Sequence, residues 1–161
     1  MPDAVKARVE RLRNLGEPLF NRPWRTVRDA LHGLPDPEKR MGSPFHNHRF
    51  QPGAKSYPGH TGSPLDLPAK TLKAGDHGVP GGENMLVKEN GEVRYFTVRE
   101  SARIQTFPDG FVFHGTWTES MRQLGNAVPV GLAHIVGSSV AEKLVQSDMN
   151  IMRKRFAEVG R

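Results

Sequence analysis

Residues 84–100, NMLVKENGEVRYFTVRE, constrain the fold more than any other stretch of this chain. Apolar runs flank Asn90-Gly91, the pair favoured by a two-residue type I′ hairpin turn, whose central positions both need positive φ. A hairpin is therefore predicted over 84–96. Thr97 and Glu100 follow at the spacing of a capping box, which starts a helix at Val98 and leaves Pro108 to stop it. Thr116 and Glu119 repeat the device, so WTESMRQL is predicted to be a second short helix ending at Gly125. Pro129 suits a first helical position, and Leu132, Ile135, Val136, Val140 and Leu144 recur at helical spacing, giving a long helix over about 129–146. Its other faces carry Gly131, Gly137, Ser138 and Ala141, small enough for a close neighbour.

The N-terminal side has weaker punctuation. Asp3 can cap a helix with Val5, Val9 and Leu12 on one face and Gly16 at its end. Thr26 and Asp29 stand at capping-box spacing before a short helix closed by Gly33, Pro35 and Pro37. Residues 36–66 hold repeated Gly, Pro, Ser and His without either structural period, so long loops are expected there. AKTLKA and NMLVK are short strand candidates. The expected class is α+β: a small mixed region of short strands and long loops followed by C-terminal helices.

A length of 161 residues with 36% apolar content suits one domain of ordinary size with a modest core. Lys and Arg number 23 against 17 acidic residues, a net charge of +6 that favours a polyanionic partner such as nucleic acid. There is no cysteine, which removes disulfides, thiolate metal sites and any cysteine nucleophile from these residues. No run approaches the roughly 18 consecutive apolar residues of a membrane span, so no membrane partner and a cytoplasmic location are expected.

Four segments carry possible chemistry. RYFTVRESARIQTFPD places Arg94, Arg99 and Arg103 near one another, with Glu100 and Gln105 on the same short helix. A solvated helix and a helix with polar partners on several sides are equal readings of that composition. GNAVP, from Gly125, reads as a turn at a helix entrance, where Gly permits backbone conformations closed to other residues and Asn offers both donor and acceptor; a simple helix stop has the same pattern. KAGDHGVPGGENM is a Gly-rich loop carrying Lys73, Asp76, His77 and Glu83. HNH at 46–48 suggests a metal, but no matching ligand set follows, and histidine in a polar loop is normally solvated, so no metal site is expected. Lys55, His60 and Lys70 are candidate phosphate contacts by charge alone.

RYFTVRESARIQTFPD and QLGNAVPVGLAHIVGSSVAEKL resemble, nearly residue for residue, the two C-terminal conserved blocks, usually numbered IX and X, of DNA (cytosine-5) methyltransferases. PAKTL resembles the Thr-Leu pair of that family's target-recognition region, and WRTVRDALHGLPDP resembles the segment just upstream, so the resemblance covers about 24–145. It implies a helical brace built by Arg99, Glu100, Arg103 and Gln105, with buried polar contacts that fix loop geometry. It also implies a border of the S-adenosyl-L-methionine pocket at Asn126, Ala127 and Val128, and DNA contacts from Thr71, Lys73, His77 and Lys55. The chain then divides into a helical linker (1–39), a recognition region (40–96), a helical segment (97–146) and a basic tail (147–161).

The family's chemistry needs a thiolate that attacks C6 of an extruded cytosine, carried in a Pro-Cys pair absent here. Also absent are its Phe-x-Gly-x-Gly turn, its Glu-Asn-Val and its Gln-x-Arg-x-Arg block. The resemblance thus implies the C-terminal portion of such an enzyme, whose helices complete a Rossmann-like cofactor domain supplied elsewhere. The expected partners are double-stranded DNA and a catalytic methyltransferase subunit, with self-association when alone, and with methyl transfer and cofactor use only in the complex. A non-catalytic DNA-binding remnant, or a truncated fragment, is the alternative.

Overall fold

The computed structural model describes residues 24–39, 43–74 and 84–159, with side chains through Met152. Its elements are α1 (Val27–Leu31), β1 (Ser63–Pro64), β2 (Met85–Val87), β3 (Val93–Tyr95), α2 (Val98–Ile104), α3 (Trp117–Asn126) and α4 (Val130–Val159). The class is mixed α+β. The helix expected after Asp3, and His77 with most of its Gly-rich loop, lie outside the described residues.

All three capping boxes form: Thr26 with Asp29, Thr97 with Glu100 and Thr116 with Glu119 each exchange side-chain and backbone bonds. Each satisfies first-turn N–H groups that a helix otherwise leaves without partners. In α1 the remaining donors reach into the loop after β1, Val27 N to Leu67 O at 3.0 Å and Arg28 N to Leu65 O at 2.8 Å.

The predicted hairpin is present, with β2 antiparallel to β3 and Leu86 opposite Arg94. Its turn differs from the predicted type I′, because Gly91 has φ 84° while Asn90 is not among the positive-φ residues. Gly91 N donates to Lys88 O at 3.0 Å and Lys88 N to Glu92 O at 2.8 Å, which describes a type I turn closed by a left-handed glycine. Asn90 is instead engaged through its side chain, accepting from Glu92 N at 3.1 Å.

AKTLKA is not a strand. The third strand is β1, parallel to β2 with Ser63 opposite Leu86, in a stretch the sequence marked as loop. It lies at the sheet edge, where Pro64 costs no ladder bond. α2 begins at Val98 as expected but ends at Ile104, before Pro108, because Thr106 takes φ 59°.

Val27, Leu72, Leu86, Phe96, Val98, Ala102, Phe113, Met121 and Leu124 form the core, drawn from α1, the 71–74 segment, the hairpin, α2 and α3. α4 projects from this body and runs past the expected end near 146. Its predicted apolar stripe is uncovered, with Leu132, Ile135, Val136, Val140 and Leu144 between 52% and 67% exposed. Although the sequence lacks a run of about 18 apolar residues, the helical stretch Trp117–Met152 is long and apolar enough to cross a membrane by length and composition. Gly and Ser between the branched residues add no charge, so Val, Leu, Ile and Ala set its average apolarity.

Gly91→Ala is expected to cost about 1 kcal/mol, since nothing lies within 4 Å of an added Cβ and only the left-handed backbone is strained. Gly62→Ala should cost more, about 2 kcal/mol, because its Cβ would also meet Val87 Cγ2 at 3.1 Å and Met85 O at 3.3 Å. Urea unfolding of the two variants checks the ranking; equal losses would contradict the crowding at Gly62.

Candidate functional site

Each polar side chain of α2 goes to a different part of the fold. Arg99 is 0% exposed, yet its guanidinium has no carboxylate partner among the described residues. It donates to His46 O (2.9 Å), Pro108 O (3.1 Å) and Phe111 O (2.5 Å). Burial pulls its pKa below the ordinary arginine value, opposed by the charge of Asp109 and reinforced by Arg103. Three carbonyl dipoles thus take the place of a counterion.

The buried ion pair belongs to Glu100 and Arg94, joined by two parallel bonds of 2.7 and 2.8 Å. Burial works against the Arg94 charge, but the bonds and charge of Glu100 outweigh it, so its pKa rises. Glu100 also accepts from Thr97 N at 2.8 Å, so one carboxylate closes the α2 cap and anchors β3. Arg103 grips Asp109 through bonds of 2.7 and 2.6 Å, donates to His32 O at 2.6 Å and lies over the Phe45 ring. These bonds hold the Asp109 carboxyl below the usual carboxylate range.

The HNH segment is a clasp on this helix. His48 is buried, which corrects the expectation of a solvated histidine. Pro35 O can only accept, so His48 Nε2 donates to it at 2.7 Å, leaving Nδ1 to take the Thr97 hydroxyl at 2.9 Å. Asn47, at φ 63°, accepts from Arg99 N through its carbonyl and bonds Phe113 twice through its amide, at 2.8 and 2.9 Å. Asparagine tolerates that left-handed backbone better than most residues. Among the described residues no cluster of metal-ligating side chains occurs.

The C-terminal end of α2 positions the GNAVP turn. Gln105 Nε2 donates to Leu124 O at 2.9 Å, and Gln105 O accepts from Val130 N at 3.0 Å. Thr106 Oγ1 accepts from Gly131 N at 2.7 Å. A β-branched residue at positive φ is strained; here its hydroxyl satisfies a first-turn donor of α4, which accounts for the early end of α2. Asn126 and Val128 are exposed and Ala127 is half-buried. The Asn126 amide makes no hydrogen bond among the described residues, so its donor and acceptor remain open to a ligand.

Gly125 is needed for a different reason from the one its sequence context suggested. It lies within α3 without positive φ, and an added Cβ would meet Ala74 N at 2.4 Å and Lys73 C at 2.6 Å. The 71–74 backbone therefore crosses directly over the turn. Thr71 and Lys73 are exposed on either side of buried Leu72. Lys55 is exposed elsewhere on the 43–74 stretch, and His77 lies outside the described residues. Sequence reasoning missed Asn47, His48 and Thr106 as contributors, and did not assign Arg94 to Glu100; only the HNH pattern drew notice, under a metal reading.

The family model for C-5 cytosine-specific DNA methylase matches residues 40–142. A type II methyltransferase of Escherichia coli, M.Eco47II, is 57% identical over 53 residues, 33% of this chain and 13% of the relative. M.Sau96I of Staphylococcus aureus is 51% identical over 55 residues, 34% of this chain and 13% of the relative. M.SacI of Streptomyces achromogenes is 34% identical over 150 residues, 76% of this chain and 38% of the relative. The chain thus spans well under two thirds of the relatives it matches.

Glu100→Ala is expected to cost about 3–5 kcal/mol, because it strands Arg94 in the interior. Asp109→Asn should cost less than about 1 kcal/mol, since the Asp109 side chain is 41% exposed. Because the folded pKa of Asp109 is depressed, its contribution is full above the unfolded value near ~4 and is lost as pH falls through the folded value. Acid unfolding should therefore be shallower in Asp109→Asn below about pH 4. Urea midpoints across pH check both; Glu100→Ala as mild as Asp109→Asn would contradict the buried pair.

Proposed function

Since the chain belongs to the C-5 cytosine-specific DNA methylases, we propose that its residues form the DNA-reading and cofactor-facing part of a type II DNA (cytosine-5) methyltransferase. The observation that carries this reading is the crossing at Gly125, where the Thr71–Ala74 segment lies on the turn that presents Asn126 and Val128. A recognition loop and a cofactor wall then share one joint, pinned from below by Gln105 and Thr106. Residues 40–96 read DNA, with Thr71, Lys73, His77 and Lys55 as contacts. Arg99, Glu100, Arg103 and Gln105 hold that region on the helices that follow.

S-adenosyl-L-methionine supplies the methyl group in this chemistry. The open Asn126 amide and the exposed Val128 fit one wall of its site, which the remainder of a Rossmann-like domain completes. These 161 residues contain no cysteine, so the thiol that attacks the cytosine comes from another segment or subunit. The uncovered stripe of α4 packs on that same catalytic part, and it is the surface through which copies lacking the partner self-associate. A role on DNA places the protein in the cytoplasm.

Binding of the chain to a labelled DNA duplex should fall steeply between about 50 and 200 mM salt, because phosphate contacts release counterions. Methyl transfer should be undetectable from the chain alone and should appear on addition of a catalytic half bearing the Pro-Cys pair. In that mixture Asn126→Ala should raise the cofactor concentration needed. A flat salt response, or methylation by the purified chain alone, would overturn the assignment.

A further inference from the structure

Tyr57-Pro58-Gly59-His60 closes on itself. Tyr57 N donates to His60 O at 3.3 Å and His60 N to Tyr57 O at 2.8 Å, while Gly59 has φ 85°. Proline followed by a left-handed glycine suits the central positions of a type II turn. Across the turn the two rings stack, with centroids 4.3 Å apart and planes inclined by 22°.

Folding does not account for this pair. Neither ring belongs to the hydrophobic core, and Tyr57 is 47% exposed. The Tyr57 hydroxyl and the His60 ring make no hydrogen bond among the described residues, and His60 Nδ1 is buried without a partner. The surroundings point to a ligand class. Lys55 is exposed and makes no ion pair among the described residues. Lys70 Nζ donates to Thr61 Oγ1 at 2.9 Å and Lys70 N to Ser63 Oγ at 3.0 Å, which draws the exit of the turn against the residue before Thr71. A rigid aromatic platform flanked by two cations has the chemistry to take the flat face of a nucleotide and its phosphates.

We propose that the Tyr57–His60 pair is a stacking contact of the DNA-reading surface, packing on a nucleotide that has left the duplex stack while Lys55 and Lys70 take neighbouring phosphates. The proposal rests on the DNA-reading role given above. Stacking contributes independently of salt, whereas each phosphate contact steepens the salt dependence, so the two contributions separate experimentally.

The test is fluorescence anisotropy of a labelled duplex carrying one unpaired nucleotide, titrated with the full chain at several salt concentrations. Tyr57→Ala should weaken binding by about 5- to 100-fold at every salt with an unchanged slope, and His60→Ala should do the same from the other side of the stack. Tyr57→Phe should bind within about twofold of the parent, and Lys55→Ala should lower the slope by about 1. Melting curves matching the parent show that the variants are folded. Parent-like binding by both alanine variants, or a slope lowered by Tyr57→Ala, overturns the stacking contact and leaves the DNA-reading role standing. A parent chain that binds no DNA overturns that role, and this inference with it.

Discussion

The Arg99 guanidinium is the constraint on which the rest depends. Transferring a charge from water into the interior is costly unless hydrogen bonds replace the lost hydration. Here the replacement comes from the carbonyls of His46, Pro108 and Phe111, which belong to two loops with no ladder to hold them. Satisfying the charge and fixing the loops are one event. Asn47 completes it by bonding Arg99 N and both backbone groups of Phe113, so the same clasp seats Phe113 in the core.

This arrangement explains why so small a sheet suffices. With strands of two or three residues, the ladder orders little of the chain, and polar contacts from α2 order the rest. Glu100 serves the cap and β3 together, Arg103 ties α1 to the turn after α2, and Gln105 with Thr106 sets the approach to α4. The consequence for function is geometric. The Thr71 segment and the Asn126–Val128 turn meet through backbone contact at Gly125, so a shift in one is passed to the other without an intervening flexible linker.

What the sequence revealed was local. Capping boxes and the hairpin depend on residues a few positions apart, and Thr26, Thr97, Thr116 and Gly91 were legible for that reason. The exact turn was not, because the side chain of Asn90 bonds Glu92 and leaves positive φ to Gly91 alone. Thr106 ends α2 early through a bond to a residue 25 positions away, and Gly125 answers to Ala74 from another segment, neither of which leaves a local pattern. His48 looked like a solvated histidine because its partners, Pro35 and Thr97, are distant in sequence. The reading of Asn126 and Thr71 came from family resemblance; spacing alone favoured a simple helix stop at the Gly125 turn.

The claim that Arg99 binds the loops and the core into one unit is tested most directly by amide hydrogen exchange. Arg99 N, bonded to Asn47 O, and Phe113 N, bonded to Asn47 Oδ1, should open with the same free energy as Phe96 N, whose bond to Asn84 O belongs to the hairpin and core. Exchange at Arg99 and Phe113 orders of magnitude faster than at Phe96 would show that the clasp opens by itself, and would contradict the account.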